Sequence, residues 1–581
     1  MVTLLLLVGC GSEQPQEPAS PQPGDPWPLS PPPDDPMAWI AEQRDPATAT
    51  ASTTGSVDDD ALTVGIGGAG TGTQYTAAGA GISFEATDLA DDRLSAENPD
   101  LVRILKQLDQ PTLRFGGNSV DRRLFFTDSQ ETAPQDWPLR SGERITTVTP
   151  EDLARLAELA QATDAHVILS VNLADGDPER AASMVGHAHT ALGDRLVGVM
   201  IGNEPNGYAL GEDNPLSIKD ADWDTDQFRS QWRSYVQAIR AEVPETTIVG
   251  PGAYDAEWWR TVTEAGVRDT VLAVHQYPLS ECGDPDDTGF QSGSEPTIEN
   301  TVSQQTRDRV DTLLGRAVEL ADRAQMDTWV TETSASSCSG SNELTETLAA
   351  GLYTADYVLR AQLLGVDRVD FHSSLLPCKG GPPMSVICAS GTVQNPGDAL
   401  VPRTNGLALA VVGSLPTGEF RNTTVTPADG GESGPGAQAR DVVTYAIAHD
   451  DGSTSVILVD FRDPEQAQAQ AVTLNLPHGV AGARQTTFGG SDLRDNYPET
   501  TLFDGHPSAE SPTTEDADGV ALDVRGAITA VPDGAPSVDG YGLPLMPPDI
   551  QSEVSGVAEG DSVIHTTIEP GSVSVISTRP I

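Results

Sequence analysis

Two acidic residues stand where this sequence could do chemistry. Glu204 follows at once on a short apolar run, Val197 to Ile201, that stops at Gly202 and gives way to Asn203-Glu204-Pro205. Glu332 closes a second such run, Thr328 to Thr331, and Thr333-Ser334 come after it. Taken singly, either glutamate reads as well as a surface acid in a turn. Placed together at the tips of two buried strands, they make the equipment for splitting a glycosidic bond. One carboxylate attacks the anomeric carbon while a carboxylic acid protonates the departing oxygen. Enzymes that retain configuration hold the two groups about 5–5.5 Å apart.

A fold must bring the pair together, and the chain supplies one in order. Strand-like runs recur at Gly81–Glu85, Thr112–Phe115, Val167–Val171, Val197–Ile201, Thr247–Val249, Val271–His275, Thr328–Thr331 and Arg368–Phe371. Helical patterns lie between most of them. Thr149-Pro-Glu-Asp152 opens one with an N-cap residue, a proline in the first turn and an acid at the third position, ahead of Leu153, Leu156 and Leu159. Asp226 to Val243, Asp308 to Ala324 and Leu344 to Leu364 are helical by period, and Gly406 to Val412 supplies a closing helix. Eight strands alternating with helices predict an α/β chain with a (β/α)8 TIM barrel. Beyond Leu415 short alternating or β-rich runs at Val442–Ala448, Ser455–Val459, Ala471–Leu476, Val520–Val524 and Ser572–Ile576 predict an antiparallel β-sandwich. Leu62 to Ile66 is a weak strand expected to join it. The domain expectation is therefore a sandwich strand over 61–79, the barrel over 80–415 and the sandwich over 416–581.

On a TIM barrel, residues just past each strand converge on one face. The second strand ends in Leu113-Arg-Phe-Gly-Gly-Asn-Ser119, the fourth in Asn203-Glu204, the sixth in His275-Gln-Tyr277, the seventh in Glu332 and the eighth in Phe371-His372-Ser373. With Gly202-Asn-Glu-Pro205 and Thr331-Glu-Thr-Ser334, these motifs resemble glycoside hydrolase family 79, the heparanase and β-glucuronidase family, within the large group of retaining glycosidases built on TIM barrels. The resemblance spans roughly residues 62 to 581 and is densest between 80 and 415. It implies Glu204 as general acid/base and Glu332 as nucleophile, with ionised Glu332 raising the pKa of Glu204 so that it holds its proton for the first step. Asn203 is then placed to hydrogen-bond the sugar 2-hydroxyl, and Arg114 or Tyr277 to keep Glu332 ionised and aligned. Asn118, Tyr277, His275, Arg114 and Lys379 complete the expected sugar-binding set. Asn118 reads equally as a turn cap, His275 and His372 as oriented core groups, and Glu85 as structural or substrate-lining. A glucuronide needs a partner for its C5 carboxylate, for which Lys379 is the candidate. The resulting expectation is a retaining exo-acting β-glycosidase, β-glucuronidase-like first, with a neutral β-xyloside or β-glucoside, or a non-catalytic glycan binder, as alternatives.

Composition narrows the partners. The chain has 581 residues, with 33 basic against 86 acidic residues and a formal charge of −53. Only Lys106, Lys219 and Lys379 are lysines. So acidic a surface repels phosphate backbones and excludes nucleic acid as a partner. The opening Leu7-Val8-Gly9-Cys10 resembles a bacterial lipoprotein box, with Cys10 as the lipidated residue over 1–10, although a basic stretch before it is missing. Residues 11–60 are rich in Pro, Ser, Thr, Ala and acids and read as a tether too poor in apolar groups to fold. An extracytoplasmic monomer, lipid-anchored or secreted, is expected. Cys282, Cys338, Cys378 and Cys388 form an even set that allows three pairings. Their location after strands six, seven and eight favours Cys282–Cys338 and Cys378–Cys388. No Cys-x-x-Cys pair or His-rich cluster suggests a metal, and no cofactor is expected.

Overall fold

The computed structural model describes residues 61–134, 143–209, 217–280, 295–337, 344–378, 381–392, 395–426, 441–490 and 557–581, with short stretches between these. Strand β1 (Leu62–Tyr75) precedes eight parallel strands: β2 (Ala80–Glu85), β3 (Thr112–Gly116), β4 (His166–Val171), β5 (Leu196–Ile201), β6 (Ile248–Ala253), β7 (Thr270–Gln276), β8 (Thr328–Thr333) and β9 (Arg368–Ser373). Each pairs with its neighbour in chain order, and β9 pairs with β2 to close the barrel. The crossovers include α1 (Pro99–Leu105), α2 (Pro150–Thr163), α3 (Pro178–Leu192), α4 (Thr225–Glu242), α5 (Ala256–Thr263), α6 (Gln304–Ala324) and α7 (Leu348–Leu363), followed by α8 (Thr404–Gly413). The start of α2 is built as its sequence predicts: the Thr149 N–H donates to the Asp152 carboxylate at 2.9 Å, with Pro150 in the first turn.

Strand pleating sorts the barrel residues. Ile82, Phe84, Leu113, Phe115, Val369 and Phe371 point outward into one core with the helices. Their neighbours point inward, and the interior is divided in character. Ile168, Met200, Val249, Val271, Ala273 and Trp329 form an apolar plug on one side. Arg114, Ser83 and Asp370 occupy the other, all fully buried. Neither Asp370 oxygen has a hydrogen-bond partner among the described residues. Burial pushes its carboxyl up to about 8, against the opposing pull of Arg368 and Arg114. An acid whose folded pKa is raised costs nothing below its unfolded value near 4 and progressively destabilises the fold as pH climbs toward 8. Asp370→Asn is therefore expected to match the wild type near pH 4 and to gain several degrees of melting temperature over it by pH 8. Parallel melting curves at both pH values would expose a wrong assignment.

The second domain is one continuous sheet path. β14 (Gly482–Gly489), β16 (Ser572–Arg579), β12 (Thr454–Asp460), β11 (Val442–His449), β10 (Gly418–Thr426), β1, β13 (Gln470–Val480) and β15 (Asp561–Ile568) follow one another across it. Its halves enclose a core that runs from Leu62 and Val64 through Val442, Val456 and Leu474 to Ile564 and Ile576. On β11 the alternate residues Val443, Tyr445 and Ile447 turn the other way and merge with the barrel core. Both faces of β11 are thus covered, which is why it reads as a continuous apolar run. The Tyr445 hydroxyl donates to Asp356 of α7 at 2.6 Å across this junction.

Three details depart from expectation. β1 is fourteen residues long, more than the five predicted, and it lies inside the sheet, antiparallel to β10 and parallel to β13. Its glycines permit this: a side chain at Gly65 would sit 2.5 Å from the Thr424 hydroxyl and one at Gly70 2.0 Å from the Glu419 carboxyl. Val520–Leu522 pairs with Ile528–Ala530 in a separate hairpin, outside the main sheet. Strands β10, β14 and β15 carry too mixed a pattern to have been singled out by alternation.

Candidate active site

The C-terminal mouth of the barrel gathers the two glutamates. One carboxylate oxygen of Glu204, one of Glu332 and a ring nitrogen of His275 lie within 4.8 Å of one another. That closeness fits the retaining separation. Glu332 sits at the end of β8 with its side chain 7% exposed, and both its oxygens are held. Arg114 Nη1 donates to Oε2 at 2.7 Å and the Tyr277 hydroxyl to Oε1 at 2.8 Å. His372 Nδ1 stands 3.8 Å from Oε1 and His275 Nδ1 4.0 Å from Oε2. Burial alone would raise the Glu332 carboxyl. The charges of His275, His372 and Arg114 and the Tyr277 hydrogen bond outweigh it and hold the group down at about 2. Although Glu204, His275 and Glu332 could reach one ion, a guanidinium already balances Glu332, so the donor set is that of a charged nucleophile more than of a metal cage.

The spacing of Arg114-Phe-Gly-Gly117 has a steric cause. Arg114 points into the barrel and is completely buried. A Cβ on Gly116, the next inward position, would stand 2.1 Å from its guanidinium carbon. Gly117, at φ +68°, would place a Cβ 2.6 Å from the Glu85 carboxyl. The freed guanidinium spans three strands: besides Glu332 it donates to Ser83 at 2.8 Å and to the Asn203 side chain at 2.6 Å. Because arginine can only donate, the Asn203 atom facing it is Oδ1. Its Nδ2 is buried without a hydrogen-bond partner among the described residues.

The turn carrying Glu204 is strained and braced. Gly202 and Glu204 both adopt left-handed backbone, at φ +78° and +48°. For a glutamate this costs of order 1–3 kcal/mol and persists only where neighbours enforce it. The Glu204 N–H is tied to the Gly252 carbonyl at 2.9 Å, and its Oε1 shares a 2.9 Å hydrogen bond with His275 Nδ1. Asp121 supplies the other brace. Its carboxylate accepts the N–H groups of Asn203 at 2.7 Å, Leu173 at 2.8 Å and Ala174 at 3.2 Å, so it ties the ends of β4 and β5 to the turn after β3. Burial raises the Asp121 carboxyl against these bonds and one from Tyr208. Asp121→Ala would strand three amides in a buried site, and each unmet donor costs about 1–3 kcal/mol. A loss of roughly 3–5 kcal/mol in denaturant unfolding is expected; a change below about 1 kcal/mol would remove Asp121 from this role.

The expected residues divide clearly. Glu204, Glu332, Asn203, Tyr277, Arg114 and His275 converge. Arg114, read both as a sugar contact and as the group aligning Glu332, and His275, read both as a sugar contact and as an oriented core group, have side chains at 0% exposure; Arg114 bonds Glu332 and Asn203, and His275 meets Glu204 through Nδ1. Their contacts are to the two carboxylates. Asn118 is exposed and makes no capping bond to the short helix Ser119–Arg122. Glu85 accepts the Ser119 N–H at 2.9 Å and stands 3.7 Å from His372 Nε2. Cys378 and Cys388 are joined in a disulfide beside the end of β9. Lys379, Cys282, Cys338 and Cys10 lie outside the described residues, so the Cys282–Cys338 pairing does too. Ser83 and Asp121 carry no sequence signal, since their partners lie 31 to 82 residues away.

No family model and no curated protein matches the sequence. Solved structures do match the fold. A 4-O-α-L-rhamnosyl-β-D-glucuronidase from Fusarium oxysporum aligns with a TM-score of 0.60 at 15% identity, over 88% of this chain and 99% of its own. An α-L-arabinofuranosidase from Thermotoga maritima gives 0.55 at 16%, over 89% and 99%. A β-xylosidase from Caulobacter crescentus gives 0.54 at 14%, over 89% and 99%. The chain therefore has the architecture these glycosidases share, an eight-stranded parallel barrel with a β-sandwich. At such identities the likeness extends to fold and stops short of family 79.

Proposed function

We propose that this protein is a retaining β-glycosidase that acts by double displacement. The observation that carries the reading is the pair of carboxylates within 4.8 Å at the barrel mouth, one of them held ionised by a buried arginine. Glu332 attacks the anomeric carbon and the leaving oxygen takes the Glu204 proton. Once the glycosyl ester forms, the Glu332 charge is gone and Glu204 becomes the base that activates water. Asn203 Nδ2 meets the sugar 2-hydroxyl. The glycone assigned first is a β-glucuronide removed from a chain end, supported by the family 79 resemblance and by the glucuronidase among the structural neighbours. A neutral β-glycoside is the second reading. It is favoured by Glu85, a third carboxylate close to His372 whose charge would oppose a sugar acid. Turnover of p-nitrophenyl β-glucuronide, β-xyloside and β-glucoside, with the product anomer followed by NMR, decides between them. Inversion of configuration, or no turnover of any glycoside, would sink the mechanism. An exported, lipid-anchored location through Cys10 belongs to the same proposal, supported by the Cys378–Cys388 disulfide, which persists in oxidising compartments, and is tested by membrane fractionation.

A further inference from the structure

Tyr254 is the sole exposed aromatic side chain of any size among the described residues, at 53%, and it stands beside the proposed acid/base. It follows directly on β6, at the barrel mouth. Its sequence neighbours are both pinned: the Ala253 carbonyl accepts the Trp259 indole N–H at 2.7 Å, and the Asp255 carboxylate caps α5 through the Glu257 N–H at 2.8 Å. Its hydroxyl reaches across to the turn that presents Glu204, lying 3.4 Å from where a Cβ on Gly207 would be. That turn is backed from behind by Trp223, whose indole donates to the Pro205 carbonyl at 2.8 Å and whose ring stacks on Tyr208. Tyr254 is thus a half-open ring held between rigid supports.

Its side of the pair is also defined. The Tyr277 hydroxyl donates to Glu332 at 2.8 Å, whereas the Tyr254 hydroxyl faces Gly207 in the turn that carries Glu204, and burial and then the Glu204 charge push it up to about 12. In the proposed mechanism the sugar to be cleaved lies over Glu332. The leaving group lies by Glu204, because Glu204 gives it a proton.

We infer that Tyr254 forms the platform of a leaving-group subsite, stacking its ring against the sugar that departs from Glu204. The ligand class is a pyranose or furanose ring, whose C–H face is apolar enough to lie on an aromatic. Such binding away from the reacting centre can be used to orient the scissile bond. The inference rests on the proposed glycosidase reading.

Binding separates the two. In a Glu332→Gln background, which cannot turn substrate over, calorimetric titration compares a β-glucuronyl disaccharide with glucuronic acid and xylobiose with xylose. The ratio of disaccharide to monosaccharide affinity is expected to fall about tenfold when Tyr254→Ala is added, and less than about twofold with Tyr254→Phe, which keeps the ring. An unchanged ratio in Tyr254→Ala overturns the platform while leaving the glycosidase intact. So does a Tyr254→Phe as damaging as Tyr254→Ala, since the hydroxyl would then be the contact. If none of the four sugars binds the parent and the wild type hydrolyses no glycoside, the glycosidase reading falls and takes the platform with it.

Discussion

Glu332→Gln is expected to lower kcat by at least about 10⁴-fold on every glycoside, activated or not, because without this carboxylate there is no covalent intermediate to form. The wild-type group is prepared for that role. It is buried, yet Arg114, Tyr277 and the two histidines hold it ionised down to about pH 2. A carboxylate whose folded pKa is depressed stabilises the fold above its unfolded value near 4.5 and loses that contribution as pH falls toward 2. The variant is accordingly expected to be less stable than the wild type at pH 6 and closer to it at pH 3. That stability difference is read from denaturant unfolding, separately from kcat. A glutamine still accepts the Arg114 bond through its one oxygen and can donate its NH2 to the Tyr277 hydroxyl, so a folded variant is expected and an inactive one cannot be dismissed as unfolded. In the wild type, a 2-fluoro glycoside should add its glycosyl mass to the peptide containing Glu332. Labelling at another residue, or a folded Glu332→Gln with more than about one hundredth of wild-type kcat, would refute the nucleophile.

The barrel was legible because buried parallel strands advertise themselves as short apolar runs, and because its strands pair in chain order. Glu204 and Glu332 were legible for the same reason: a carboxylate immediately after such a run has one face to point to. The sandwich was harder. β10 buries Gly418, Phe420, Thr423 and Val425, too mixed a set to stand out in the sequence, and β1 is broken by glycines whose purpose appears only when Thr424 and Glu419 are placed against them. Within the site, the sequence shows which residues lie at the mouth but does not separate those that meet sugar from those that hold the carboxylates. Arg114 illustrates this. The resemblance offered Arg114 both as an aligner of Glu332 and as a sugar contact, and nothing in Leu113-Arg-Phe-Gly-Gly117 adds that Asn203 and Ser83 take further bonds from it. Gly116 carries the matching signal, a missing side chain where the guanidinium must lie, and it becomes readable only in three dimensions. Asp121 and Tyr254 are invisible for a related reason, since each acquires meaning from a turn that is distant in sequence.

Glu204→Gln should divide substrates by their leaving groups. For disaccharides and other unactivated glycosides the departing alkoxide needs a proton, and the expected loss in kcat/KM is about 10²–10⁴-fold, the usual worth of general acid catalysis. A nitrophenolate departs unaided, so the first step on an aryl glycoside should remain fast. The second step then lacks its base, and the glycosyl-enzyme should accumulate after an initial burst of nitrophenol. Azide is already a nucleophile and needs no base. It should restore turnover and yield the glycosyl azide with retained configuration, since it enters from the face that Glu204 occupies. The geometry makes this a demanding test. Glu204 is presented from a left-handed backbone position, tied to Gly252 and hydrogen-bonded to a buried His275, so its side chain has one direction available. A glutamine at the same place keeps that direction and changes the proton chemistry alone. If aryl and disaccharide substrates lost activity equally and azide restored neither, Glu204 would be a binding or structural acid, and the proton donor would have to be sought elsewhere at the mouth.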